Sequence, residues 1–212
     1  MSLESTESVI VIHGFGGHWV VMHPLVRSLR RSGFRVHNWG YSSLWRTIDL
    51  HATELVKHIE KLEEDANTPR FHFVSHSMGS IVVRVALSRI RPEKLGRIVM
   101  LAPPNKGSHA ATRFSPMFGW LSKTLTEIQD TPTSFVNQLQ TPIEPDVEVG
   151  VIQADLDFVV ERTATQLEEA KEYVLARGFH SSILLSPHCA ELVKAFLRNG
   201  TFQMESKEPS DS

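Results

Sequence analysis

Short apolar runs recur along the chain, and between them apolar residues are spaced three or four positions apart. A continuous β-branched run such as 9–12 is typical of a strand buried on both faces, as in parallel sheets. Runs of this kind predict six strands, at 9–12, 34–39, 71–75, 97–101, 147–152 and 172–176. The spacing between them predicts helices at 20–31, 48–64, 78–90 and 190–198. Because strands and helices alternate, we expect an α/β fold, with a mostly parallel six-stranded sheet and helices on both sides.

The alternation is interrupted between residues 103 and 146, where prolines are frequent and no strand pattern is visible. We interpret 103–146 as an insertion over one end of the sheet, which serves either as a lid or as part of the core. The whole of 9–202 is predicted to be a single domain. The polar ends at 1–8 and 203–212 are predicted to be disordered.

Composition excludes several classes of protein. The 212 residues contain 24 acidic and 22 basic side chains, giving a formal net charge of −2. Nucleic-acid binding depends on clustered Lys and Arg, so no nucleic-acid partner is expected. The single cysteine, Cys189, cannot form a disulfide within the chain. No signal peptide or transmembrane segment is visible, so the sequence predicts a cytoplasmic protein.

The most informative motif lies where the third predicted strand meets a helix. The sequence Ser75-His76-Ser77-Met78-Gly79 places a serine at the apex of a tight turn. Such a turn lifts the serine hydroxyl above the strand ends, beside the free N–H groups of the helix that follows. The usual pattern has glycine two positions before the serine, and here that position is Ser75. Ser77 is therefore the predicted nucleophile.

A serine nucleophile needs a general base and a carboxylate that orients the base. Proteins with this turn carry them in the order serine, acid, histidine, after later strands. The acid is then Asp155 or Asp157, and we favour Asp157 because it begins an Asp-Phe-Val-Val run. For the base, His180 is favoured over His188, which adjoins the last helix and is expected to be exposed.

Hydrogen-bond donors for a developing oxyanion are predicted at the end of the first strand. The sequence His-Gly-Phe-Gly-Gly at 13–17 is flexible enough to direct a backbone N–H toward Ser77. We assign the N–H groups of Phe15 and Met78 as the two oxyanion donors. His13 is predicted to be structural and to hydrogen-bond the glycine turn.

These motifs resemble those of the α/β-hydrolase superfamily, in particular its small lipases and esterases. The resemblance extends from about Val9 to Leu197 and rests on the segments at 11–17, 75–79, 101–108, 157–160 and 178–180. It implies a minimal version of the fold that lacks the two leading antiparallel strands. Asn105 stands where many lipase-like members have a histidine, so the resemblance implies no catalytic role for that loop.

The resemblance also implies a reaction, in which the serine, histidine and aspartate cleave a carboxylic ester through an acyl-enzyme intermediate. The expected partner is a small-molecule ester, lipid-like if the acyl chain is long, and no metal or other cofactor is expected. The apolar side chains predicted to line the substrate pocket, unless they belong to the core, are Trp19, Phe114, Phe118 and Trp120. The alternatives are an amidase, thioesterase or acyltransferase on the same residues, or a binding module without catalysis.

Overall fold

Six parallel strands form the centre of the computed structural model, which describes residues 6–112, 127–139 and 143–204. The strands are β1 (Ser8–Ile12), β2 (Arg35–Trp39), β3 (Phe71–His76), β4 (Leu95–Leu101), β5 (Val149–Ala154) and β6 (Ala170–Ala176). They lie in the order β2-β1-β3-β4-β5-β6, and every neighbouring pair is parallel. The predicted six-stranded parallel sheet is confirmed.

Helices cover both faces of this sheet. The α-helices that lie wholly within the described residues are α1 (His23–Arg31), α2 (Ile48–Glu64), α3 (Met78–Leu87), α4 (Phe135–Gln138) and α5 (Pro187–Asn199). Short 3-10 helices span Trp19–Met22, Arg162–Thr165 and Ser182–Leu185. Helices α2 and α3 pack on one face, and α1 and α5 pack on the other. Along β1, Ile10 and Ile12 point into the first core, whereas Val9 and Val11 point into the second. This two-sided burial explains the continuous apolar run at 9–12.

Element ends follow local hydrogen bonding. Thr47 caps α2 by accepting the Leu50 N–H, and Ser186 caps α5 by accepting the Cys189 N–H. Helix α3 ends at Leu87, three residues before its predicted end, and the Ser88 hydroxyl there donates to the Val85 carbonyl. Strand β5 begins at Val149, two residues later than predicted, because Val147 is still held in a turn by the Glu144 carbonyl.

The N-terminal end differs from the sequence expectation, and the predicted insertion lies partly outside the described residues. Ser8, which was expected in a disordered end, is the first residue of β1 and is fully buried. The predicted insertion at 103–146 is described except for 113–126 and 140–142, and its residues Ala111, Ile128 and Val136 are buried in the core under α2 and α3.

None of the helices within the described ranges combines the length and the apolar character that crossing a bilayer requires.

Candidate active site

Ser77 lies at a strained turn between β3 and α3. Its backbone angles are φ 51° and ψ −128°, a left-handed conformation that residues other than glycine rarely adopt. Two hydrogen bonds hold it there: the Ser77 N–H donates to the Leu101 carbonyl at 2.8 Å, and its carbonyl accepts the Ser80 N–H at 2.9 Å. These hydrogen bonds hold the turn in its strained conformation, which places the Ser77 hydroxyl at the carboxyl edge of the sheet.

The two small residues that flank Ser77 let the turn pack closely. A Cβ atom on Gly79 would lie 2.6 Å from the His13 carbonyl oxygen, so only glycine allows α3 to approach β1 this closely. Ser75 occupies the position where glycine is usual, and its Oγ lies 2.9 Å from the Ser80 Oγ. Because these two buried hydroxyls satisfy each other, serine is tolerated at position 75.

His180 lies between Ser77 and Asp157, although the three residues are far apart in sequence. The His180 Nε2 atom is 2.9 Å from the Ser77 Oγ, and its Nδ1 atom is 2.8 Å from the Asp157 Oδ2. A carboxylate can only accept, so Nδ1 carries the ring proton and donates it to Asp157. The Nε2 atom is then free to accept the Ser77 proton, which is the arrangement a general base requires.

The Asp157 carboxylate is held in its ionised form. Burial disfavours its charge, but the hydrogen bond from His180 and the N–H groups of Val159 and Val160 outweigh burial and lower the pKa of Asp157. Its Oδ1 accepts those two N–H groups at 2.8 and 2.9 Å, so both carboxylate oxygens are occupied. The orientation of Asp157 toward His180 is therefore fixed by its own loop.

The two alternative residues lie elsewhere. Asp155 accepts the Gly178 N–H at 2.7 Å, which ties the end of β5 to the loop that carries His180. His188 lies in the first turn of α5 and is exposed. Of the two pairs, His180 is the histidine that contacts Ser77, and Asp157 is the carboxylate that contacts His180.

The expected oxyanion donors flank the turn. Met78 is the first residue of α3, and Phe15 follows β1 in the glycine loop. Within the described parts of the chain, neither backbone N–H donates to another residue. A Cβ atom on Gly14 would lie 2.8 Å from the Ser77 Cβ, so the loop contacts the serine closely at this residue.

We expect Gly14→Ala to lower kcat for a short-chain ester by about 10²-fold, because the added methyl group must displace either the loop or Ser77. The measurement is the steady-state rate with p-nitrophenyl acetate. Gly33→Ala is the control: its methyl group meets no atom within 4 Å, although its φ of +94° costs about 1–2 kcal/mol of stability. A Gly14→Ala protein with wild-type kcat would contradict the close approach.

His13 supports the glycine loop, as the sequence predicted. Its Nδ1 lies 2.9 Å from the Gly14 carbonyl and its Nε2 accepts the Tyr41 N–H, so Nδ1 carries the proton. The Tyr41 hydroxyl donates to the His13 carbonyl at 2.8 Å, and the two rings stack 4.4 Å apart. Burial lowers the pKa of His13, in keeping with a neutral ring. Tyr41 was not predicted, and its position after β2 carries no motif.

His76 is a second residue that sequence reasoning missed. It is buried directly before Ser77, and its Nε2 lies 2.9 Å from the His180 carbonyl oxygen. Burial, followed by the nearby charge of His180, lowers the pKa of His76 to about 3. The ring is neutral, so Nε2 carries the proton and donates it, which fixes the backbone of the His180 loop. Its position directly before the motif serine could have marked His76 as a residue of the site.

His76 makes a specific contribution to acid sensitivity. Its folded-state pKa is depressed, so its stabilisation is complete above the unfolded value of 6.5 and declines as pH falls toward 3. We expect this group alone to cost about 2 kcal/mol of unfolding free energy at pH 5 relative to pH 8.

The measurement is urea unfolding of the wild type and of His76→Gln at both pH values. The glutamine keeps an N–H donor but does not titrate, so the pH dependence should shrink by that amount. His188→Gln makes the same replacement at an exposed histidine and is the control for the substitution itself. Identical pH profiles for wild type and His76→Gln would contradict the assignment.

Of the side chains predicted for a substrate pocket, only Trp19 falls within the described residues. It is 41% exposed, and its ring packs against His18 and His23. Phe114, Phe118 and Trp120 lie outside the described residues. The pocket therefore stays a prediction.

The parallel sheet, with a serine on a strained strand-to-helix turn and a histidine and carboxylate beside it, defines the α/β-hydrolase class of protein. The comparison with protein families agrees: the model described as alpha/beta hydrolase fold matches residues 7–151. The chain belongs to this family. No curated protein sequence matches the chain.

Solved structures with the same fold include three from different organisms. The lin2722 gene product of Listeria innocua has 16% identity over 96% of each chain, with a TM-score of 0.65. The mature lipase BlEst2 of Bacillus licheniformis has 14% identity over 93% of each chain, with a TM-score of 0.73. An esterase of Pyrococcus furiosus has 20% identity over 94% of this chain and 85% of the other, with a TM-score of 0.64. At these identities the likeness establishes the fold alone.

Proposed function

We propose that this protein is a serine hydrolase that cleaves carboxylic esters. The observation that carries the proposal is the position of the His180 ring, within hydrogen-bond distance of both the Ser77 hydroxyl and the Asp157 carboxylate. A serine hydroxyl is a weak nucleophile until a base removes its proton, and this arrangement supplies the base together with its orienting acid.

The reaction begins when the Ser77 Oγ attacks the ester carbonyl carbon and its proton moves to the His180 Nε2. The carbonyl oxygen becomes an oxyanion, which accepts hydrogen bonds from the N–H groups of Phe15 and Met78. Asp157 stabilises the imidazolium that forms. The bond from the carbonyl carbon to the alcohol oxygen then breaks, and His180 returns the proton to the leaving alcohol.

The second half of the reaction repeats these steps with water. His180 takes a proton from a water molecule as the water oxygen attacks the acyl carbon on Ser77. The bond to the Ser77 Oγ breaks, the oxygen regains its proton from His180, and the carboxylic acid leaves.

Apolar side chains around the same edge of the sheet support an ester with an apolar acyl chain. Phe158 and Phe179 are 81% and 55% exposed, their ring centroids are 6.1 Å apart, and each is adjacent in sequence to a proposed catalytic residue. Further exposed apolar side chains follow β1, β2 and β5, namely Trp19, Val20, Val21, Leu44, Trp45 and Leu156. Exposed apolar surface of this kind marks binding sites for apolar ligands.

The proposal is tested with p-nitrophenyl esters of increasing chain length, from acetate to decanoate. We expect hydrolysis of these esters, with kcat/KM rising from acetate to octanoate by about tenfold or more, because each buried methylene contributes about 0.8 kcal/mol. Phe158→Ser should flatten this rise while leaving acetate hydrolysis intact, and Leu185→Ser, at an exposed side chain beyond the His180 loop, is the matched control.

The matching anilides and thioesters are measured alongside. Turnover of those compounds with inert esters would replace the proposed substrate class by an amide or a thioester. A complete absence of turnover, together with no labelling by a fluorophosphonate probe, would refute a serine hydrolase.

A further inference from the structure

A cavity of about 860 Å³ lies beside α3, at the ends of β4 and β5. Its lining includes three cationic side chains, Arg84, Lys106 and Arg162, and two carboxylates, Glu168 and Glu169. None of the residues proposed for catalysis lines it. The cavity is therefore separate from the site at Ser77, and the catalytic proposal does not account for its charged side chains.

Arg84 is the unusual member of this lining. It lies in the middle of α3 and is only 7% exposed, whereas Lys106 and Arg162 are exposed. Burying a charged group is unfavourable unless an opposite charge or a full set of hydrogen bonds compensates. Burial lowers the pKa of the Arg84 guanidinium, and the charge of Glu169 partly opposes that effect.

The guanidinium has few partners. Only its Nη1 atom forms hydrogen bonds, and both are long, at 3.5 Å to the Asn105 carbonyl and 3.3 Å to the Asn105 Oδ1. In the described residues, the Nε and Nη2 atoms have no hydrogen-bond partner, and no carboxylate forms an ion pair with Arg84. Nε and Nη2 form one edge of the planar group, which is the edge that binds two oxygens of a carboxylate or phosphate.

The other two cations add to this positive potential. Across the part of the chain that the structure describes, neither Lys106 nor Arg162 forms an ion pair, and the Lys106 Nζ donates only to the Gln166 Oε1, at 3.2 Å. Of the two carboxylates, Glu169 already accepts the Ile143 N–H. The three unpaired cations outnumber the two carboxylates, so the lining is left with a positive balance.

We propose that this cavity binds a small molecule through an oxyanion group, a carboxylate or a phosphate, with Arg84 as the bidentate ligand and with Lys106 and Arg162 at the entrance. The oxyanion supplies the acceptors that the Nε and Nη2 atoms lack. The volume exceeds that of a single oxyanion, which leaves room for the rest of the molecule.

The site is connected to the loop that carries Asp157. The Asn105 Nδ2 atom donates to the Thr165 carbonyl at 2.9 Å, and the Lys106 N–H donates to the Ala164 carbonyl at 2.8 Å. A ligand that fixes Arg84 against Asn105 therefore also stabilises the 3-10 helix that follows Asp157.

The test is titration calorimetry of the whole protein with inorganic phosphate and, separately, with acetate, at constant ionic strength maintained with sodium chloride. We expect saturable binding of at least one anion, and the tighter of the two identifies the group. Arg84→Met should weaken it about tenfold or more, because charge-assisted hydrogen bonds are lost. Lys106→Gln and Arg162→Gln should weaken it by about two- to fivefold each, as expected of exposed charges.

Arg31→Gln is the control, because it removes an exposed cation at the end of α1 and should leave the affinity unchanged. The methionine variant is expected to fold, since replacing a buried charge by an apolar side chain of similar length is often neutral. If Arg84→Met does not fold, the anion affinity of the double variant Lys106→Gln, Arg162→Gln tests the proposal instead. No saturable binding to the wild type, or affinities that none of the three cavity substitutions lowers, would overturn the proposal.

Discussion

Replacing Ser77 by alanine is expected to lower kcat for ester hydrolysis by about 10⁴-fold or more, the largest effect of any single change in this protein. Without the Oγ atom no acyl-enzyme can form, and the residual rate depends on the oxyanion donors acting on water alone. The fold should be retained, because the backbone hydrogen bonds to Leu101 and Ser80 hold the turn. The measurement combines steady-state kinetics with labelling by a fluorophosphonate probe.

Ser80→Ala is the matched control for this experiment. Ser80 is a buried serine one turn further along α3, and its hydroxyl contacts Ser75 rather than His180. Its loss should reduce stability by about 1 kcal/mol and leave labelling intact. Labelling that persists in Ser77→Ala would place the nucleophile at another residue.

The fold was largely predictable because the inner strands β1, β3 and β5 are buried on both faces. Each strand of such a sheet needs an apolar run, and each crossover needs an amphipathic helix, so the sequence pattern reports the architecture directly. Helix α2 was predicted with the bounds Ile48 and Glu64 that the structure gives. The ends of α3 and β5 were less predictable, since they depend on side chain to backbone hydrogen bonds and on turns.

The candidate site was predictable where a motif fixes the backbone, and less so elsewhere. Ser77 and the glycine loop follow from such local sequences. His76 and Tyr41 act through contacts with backbone groups that are remote in sequence, at His180 and His13 respectively. No spacing rule encodes those contacts, because they arise only when the folded sheet brings the loops at its carboxyl edge together.

The choice between the two candidate acids also could not be made from sequence spacing alone. Asp155 and Asp157 are two residues apart in one loop after β5, and the sequence favoured Asp157 without excluding its neighbour. The loop's own hydrogen bonds separate them. Asp157 accepts the N–H groups of Val159 and Val160 with one oxygen and faces His180 with the other, while Asp155 faces Gly178.

The second large effect is expected at this carboxylate. Asp157→Asn should lower kcat by about 10³- to 10⁴-fold with little change in KM, because an amide cannot stabilise the imidazolium and its NH₂ group favours the wrong tautomer of His180. Asp155→Asn keeps an oxygen that accepts the Gly178 N–H, so its loss in kcat should stay within about tenfold. Both rates are measured with one short-chain ester at pH 8.

Comparing the two variants distinguishes an orienting role from a structural role, because the substitutions are isosteric and lie in the same loop. A structural effect of removing charge from this loop would lower both rates to a similar extent, whereas orientation of the base requires a large effect at Asp157 alone. Equal losses, or a larger loss at Asp155, would show that Asp157 is not the orienting acid. Asp157 also accepts the N–H groups of Val159 and Val160, so its substitution is expected to affect stability as well. Unfolding measurements on both variants therefore separate a loss of kcat from a loss of folded protein.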